Sequence, residues 1–193
     1  RRAIEDGAIG RVCHVYAHWA TGRLGNVGTH VFDAIRILLG TDPQAVSGRL
    51  DSIVPPDCRG SSFHDPGGWG VVEFPGRAKA YVDATSDATV PMAIQVTGTT
   101  GRVDVGPTEA VLEHWDGERQ VLPHEVATTS AACRAVDEIV SCLDGDATPS
   151  STGEDGRQAL EMIVGFHVSH RLDGQRVSLP IQQEDRALEV QAG

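Results

Sequence analysis

Six short stretches between residues 69 and 122 alternate apolar with polar residues and are separated by turn formers: 69–74, 78–86, 93–98, 101–105, 110–115 and 120–122. Pro75-Gly76, Thr99-Thr100-Gly101 and Asp116-Gly117 mark reversals, and Asp-Gly is a strong hairpin signal. Helical periods flank this run instead of interrupting it, which argues for α+β and against repeated βαβ units. The expected architecture is a large, mostly antiparallel sheet with helices packed on one face. Ahead of the run, the pattern predicts a helix remnant over 1–6 stopped by Gly7, a strand over 11–19, a helix, and a strand over 44–54 ended by Pro55-Pro56. Residues 57–68 read as an exposed loop in which His64-Asp65 is a plain surface turn. After the run, Thr129 or Ser130 caps a helix to about Leu143, and Thr152 with Asp155 forms a capping box for a helix to about Leu172. A short strand over 176–179 follows, and residues 181–193 read as a frayed tail.

Composition narrows the function. At 193 residues and 20.5 kDa the chain fits one domain, 1–193. A net charge of −11 argues against nucleic acid and against an anionic membrane surface as partners. No apolar run approaches the ~18 residues a spanning helix requires. Cys13, Cys58, Cys133 and Cys142 form no CxxC pair. They read as reduced thiols of a cytoplasmic protein. No metal site is expected. His14 and His18 share a strand face, but four residues of strand span about 13 Å. His167 and His170 are helical neighbours without an evident third ligand. No G-x-S-x-G elbow supports a hydrolase.

The segment from Leu24 to Gly40 carries the candidate chemistry. Asn26, His30 and Asp33 stand at i, i+4 and i+7, on one helix face, while Val31, Ile35 and Leu38 form an apolar stripe on another. Gly40 is the helix stop. A histidine in the first turns faces the positive end of the helix dipole, which favours a neutral imidazole able to act as a general base. The plainer alternative makes Asn26 a helix cap and His30 a hydrogen-bonded structural residue. Asp33 is positioned to pair with Arg36 at i+3. His14 and His18 are candidates to line a substrate cleft.

These residues, taken with several landmarks in order, resemble the C-terminal domain of the Gfo/Idh/MocA oxidoreductases. The family often has Asp or Asn, three residues, His, two residues, Asp, then an apolar run ending in Gly. Here these are Asn26, His30, Asp33 and Leu38-Leu39-Gly40. Residues 5–12 resemble the joint where the second domain begins, 96–103 a hairpin of its large sheet, 152–161 the start of its late helix, and Ser169 with 177–180 its close. The resemblance implies a substrate-binding and oligomerisation domain, with residues 1–9 a remnant of a linking helix and a homo-oligomer formed through the sheet face. It implies an NAD- or NADP-dependent oxidoreductase acting on a sugar, cyclitol or related polyol. His30 is then the catalytic base, with Asn26 and Thr29 holding the substrate. The alternatives are a non-catalytic sugar-binding module and a dimerisation domain.

The family's nucleotide-binding half is absent from this chain, as is its Glu-Lys-Pro segment. The cofactor is therefore expected to bind mainly outside this chain, leaving it inactive alone. The only lysine, Lys79, lies in a strand-like run and does not carry over to the catalytic lysine's role. Where the family has Asp at the first motif position, Asn26 carries no charge with which to tune His30.

Overall fold

The structure, a computed structural model, describes residues 1–20, 22–52, 54, 60, 63–86, 90–106, 108–123 and 129–188. Residues 57–59 and 61–62 of the 57–68 loop, Cys58 among them, and residues 189–193 of the tail lie outside the described residues. In chain order the elements are α1 (Arg2–Glu5), β1 (Val12–His18), α2 (Asn26–Leu39), β2 (Ala45–Leu50), β3 (Gly68–Glu73), β4 (Lys79–Ala84), β5 (Ala93–Gly98), β6 (Gly101–Val105), β7 (Ala110–His114), β8 (Arg119–Leu122), α3 (Ala131–Asp144), α4 (Gly153–Arg171) and β9 (Val177–Ser178).

The strands form one open sheet in the order β8-β7-β6-β5-β1-β4-β3-β2-β9. β1 runs parallel to β4, with Tyr16 opposite Tyr81, and antiparallel to β5. The remaining neighbours pair antiparallel. The α+β class and the mostly antiparallel sheet expected from the strand run are thus present. β1 sits mid-sheet because α2, β2 and β3 intervene before β4 returns beside it.

One sheet face carries the core. Val15 and Ala17 of β1, Val46, Val72, Ala80, Val82 and Val96 are buried in one cluster with Val31, Phe32 and Ile35 of α2 and Met162, Ile163 and Phe166 of α4. The Phe32 ring lies 6.2 Å from Trp19 and 5.5 Å from Phe166, tying the end of β1 to both helices. Two strand glycines let α4 come this close. A Cβ at Gly48 or Gly70 would stand 2.6 or 2.8 Å from the Phe166 ring. The opposite face is open: Tyr16, Trp69 and Tyr81 are exposed there.

Three local expectations change. The strand expected over 44–54 ends at Leu50, because the Asp51 amide bonds to Gly67 O at 3.0 Å and its carboxylate accepts from the Ser86 amide at 2.9 Å. Residues after Pro180 are not simply frayed: Ile181 is buried against Val164 and Val168, and Asp185 pairs with Arg171 at 2.5 Å. The outer apolar positions of α4 need that cover. α3 forms with Ser130, one of the two caps read from sequence, but none of its residues is buried, so among the long helices α2 and α4 supply the core face. No helix among the described residues is long and apolar enough to cross a membrane.

Candidate functional site

The start of α2 is fixed by backbone bonds from a distant segment. The amides of Arg23 and Leu24 donate to Asp65 O at 3.2 Å and Pro66 O at 2.9 Å, and Gly22 donates to Thr85 O at 3.2 Å. The Asp65 carboxylate then accepts from the Gly25 amide at 2.7 Å and the Asn26 amide at 2.8 Å. Trp19 Nε1 donates to Gly22 O at 2.9 Å. Every amide from Gly22 to Asn26 is therefore satisfied before the helix proper begins. This holds Arg23 at φ 60°, a left-handed conformation that a non-glycine residue keeps only when its surroundings impose it.

Asp65 is 3 % exposed. Its charge meets the free amides and the positive end of α2. The sequence reading placed Asp65 in a surface turn and offered Asn26 as the cap. Instead Asn26 is the first helical residue, and no side chain of α2's own lead-in caps the helix. The signal was invisible locally, because capping group and amide lie 40 residues apart. The same carboxylate meets the dipole that the sequence reading set against His30.

The clamped turn presents three candidate side chains. Asn26 and His30 are exposed, one turn apart on the same face of α2. The Thr29 hydroxyl donates to Gly25 O, which leaves its oxygen free to accept. His30 is in contact with solvent and not embedded in apolar packing. Asp33 faces Arg36 at 3.3 Å, as its spacing predicts, and Arg36 also engages Asp155 of α4 and, at 3.5 Å, Asp42. Burial works against the Arg36 charge, but the hydrogen bond and charge of Asp33 and those of Asp155 outweigh it and raise the pKa. This network fixes the far end of α2 to the start of α4.

His14 and His18 are not brought to this group. They alternate with Val15 and Ala17, which face α2, so they stand on the open side of the sheet. There His14 packs edge-on against Tyr81 at 5.9 Å and His18 against Tyr16 at 5.5 Å. Period-two alternation told that they share a face, not which one. His167 points inward. Burial lowers its pKa from the ordinary 6.5 despite the opposing pull of the Asp65 carboxylate. His170 Nδ1 accepts from the Leu50 amide at 3.2 Å. Among the described residues no three His, Cys, Asp or Glu side chains converge as metal ligands.

The turn Gly22-Arg23-Leu24-Gly25-Asn26-Val27-Gly28 follows a strand and opens a helix, the setting in which glycine-rich turns hold a pyrophosphate. Here the Gly25 and Asn26 amides are already taken by a buried carboxylate. A phosphate would meet that anion, so these residues do not fit a dinucleotide.

The chain is 29% identical over 149 residues to a D-xylose 1-dehydrogenase [NADP(+)] of Haloarcula marismortui, a match covering 74% of this chain and 40% of that protein. It superposes on the aldose-aldose oxidoreductase of Caulobacter crescentus, solved with glycerol, with a TM-score of 0.73 and 19% identity, covering 92% of this chain and 58% of the other. The WlbA dehydrogenase of Bordetella pertussis, solved with NADH and UDP-GlcNAcA, gives 0.70 at 20% identity, covering 94% and 59%. The chain thus spans 40% of the length of the curated relative and under two thirds of the solved ones. Residues 1–104 match the GFO/IDH/MocA C-terminal domain, and the chain belongs to that family.

Proposed function

We propose that this chain is the substrate-side half of an NAD(P)-dependent oxidoreductase acting on a sugar, cyclitol or related polyol. The observation that carries the reading is the solvent-facing His30 beside Asn26 on a helix start held rigid by Asp65. Family membership and the sugar dehydrogenase relative support the reaction class. The cofactor, held by residues outside this chain, accepts or supplies the hydride. This chain's part is to hold the substrate and move its hydroxyl proton. Asn26 donates and accepts hydrogen bonds with substrate hydroxyls, and the Thr29 oxygen accepts one. His30 takes the proton from the reacting hydroxyl, or returns it in the reverse direction. His14 and His18, with Tyr16, Trp69 and Tyr81, belong on this reading to the open sheet face, where a second copy docks to form a homo-oligomer.

An uncharged Asn26 where the family often has an acid favours one second reading, a sugar-binding module without proton transfer. The test is NAD(P)-linked oxidation of a panel of aldoses and polyols by the longer protein and by residues 1–193 alone. Turnover by the longer protein only is the expected result. Sugar binding without turnover by the longer protein would select the second reading.

A further inference from the structure

Among the described residues four arginines are half-buried: Arg23, Arg36, Arg49 and Arg102. Three of them hold carboxylates. Arg36 engages Asp33 and Asp155, Arg49 meets Asp173 at 2.6 Å, and Arg102 meets Glu113 at 2.9 Å. Arg23 holds none among the described residues, and its Nε is buried with no hydrogen-bond partner. Arg36 and Arg102 share such an Nε, but carboxylates at their Nη groups offset it. The acid at hand for Arg23 is Asp65, whose backbone carbonyl accepts from the Arg23 amide at 3.2 Å. Both oxygens of its carboxylate are taken by the Gly25 and Asn26 amides. A charge drawn partly out of water without a counter-ion is costly, and here it leaves a rigid fork of N–H donors for a ligand. The position is costly too, since φ 60° suits glycine better than arginine.

We propose that Arg23 reads a carboxylate or phosphate on the substrate, so that the sugar oxidised beside His30 is an anionic one, a sugar acid or a sugar phosphate. The inference deepens the proposed reaction and rests on Asn26 and His30 being its substrate end. Placement supports it. Arg23 O accepts from the Val27 amide at 3.0 Å and the Gly28 amide at 3.2 Å, so Arg23 opens the turn that presents Asn26 and His30. It is the only basic side chain from Gly22 to Thr29. Seven residues of helical rise put about 10 Å between Arg23 and His30, which leaves the anion at one end of the substrate and the reacting hydroxyl at the other. A guanidinium meets either oxyanion through two parallel N–H···O bonds. Asp65 keeps anions off the α2 amides that it already fills, and Arg23 is the donor that remains. With a net charge of −11 the protein as a whole does not attract an anion, so a local cation has to hold it.

The experiment gives the longer protein a panel of aldohexoses, each beside its uronate and its 6-phosphate, and follows NAD(P)-linked oxidation. The anionic member should exceed its neutral parent about 10- to 100-fold in kcat/KM, the scale of a hydrogen bond to a charged group. Whether uronate or 6-phosphate leads tells which oxyanion is read. Arg23→Gln should erase the preference through KM, and Arg23→Lys should restore part of it. Arg23→Gly should lose the preference at an undiminished Tm, because glycine suits the left-handed backbone. An arginine that only packs its stem would instead move neutral and anionic sugars alike and lower Tm. Equal kcat/KM for neutral and anionic sugars, or a preference that survives Arg23→Gln, would overturn the inference. Turnover of neutral sugars without an anion preference upholds the proposed reaction and refutes the role of Arg23. If no sugar is oxidised, calorimetry with the same panel decides. Anion-selective binding that Arg23→Gln removes then upholds Arg23 and refutes the reaction, and its absence overturns both.

Discussion

Replacing Asp65 with Ala removes the carboxylate that accepts from the Gly25 and Asn26 amides and leaves both donors without a partner in a site 3 % exposed. A hydrogen bond to a charged group contributes about 1.5–3 kcal/mol, and loss of a helix cap costs about 0.5–2 kcal/mol. These overlap, since the bonds are the cap, so the expected loss is about 3 kcal/mol. For a domain of this size that lowers Tm by about 6–12 °C. Asp65→Asn keeps one acceptor but turns an amide donor toward the second N–H, so it should fall between parent and Ala. Thermal and urea unfolding of residues 1–193, followed by circular dichroism, gives both numbers. Hydrogen exchange should show the loosening concentrated at residues 22–28. A folded Asp65→Ala protein within about 0.5 kcal/mol of the parent, the range of an ordinary surface substitution, would show that the clamp does not hold the site.

Two glycine substitutions should act with opposite signs. Gly70→Ala puts a Cβ 2.2 Å from Ser47 O and 2.8 Å from the Phe166 ring, and should cost about 1–3 kcal/mol in urea unfolding. Gly156→Ala in α4 meets nothing within 4 Å and should add about 0.5–1 kcal/mol. Stability should also fall in acid in one identifiable region. The Arg157 hydrogen bond holds Glu154 down to about 2, and Thr152 lowers Asp155 in the same turn. Depressed folded-state values mean the unfolded chain binds more protons, so stability present above about pH 4.5 is lost as pH falls toward 2. Unfolding measured from pH 6 to 2 should lose the Glu154 share of this slope in Arg157→Gln and keep the Asp155 share, which Thr152 sets. Calorimetry of residues 1–193 with millimolar NAD(H) or NADP(H) should show no binding, because Asp65 occupies the α2 amides. Micromolar affinity would overturn that account.

Local features were legible in the sequence and distant ones were not. The hairpin turns, the Ser130 cap and the Thr152–Asp155 capping box each depend on residues within a few positions, and each appears as read. Strand order was not legible. Nothing near Val12–His18 specifies that this strand lies between β5 and β4, parallel to the latter. The same limit separated His14 and His18 from His30, since alternation fixes a shared face but not the side on which helices lie. Asp65 was missed because its role is defined by amides far along the chain. The amphipathic period of α3 predicted the helix correctly, but a period cannot name the surface that covers it.

His30 is the residue on which the functional account turns, and steady-state kinetics of His30→Ala in the longer protein tests it most directly. With a sugar or polyol substrate that the parent oxidises, the account predicts that kcat falls about 100-fold or more, the scale of a lost general base, with KM little changed. An unchanged kcat would remove His30 from proton transfer and leave this helix start a binding surface alone.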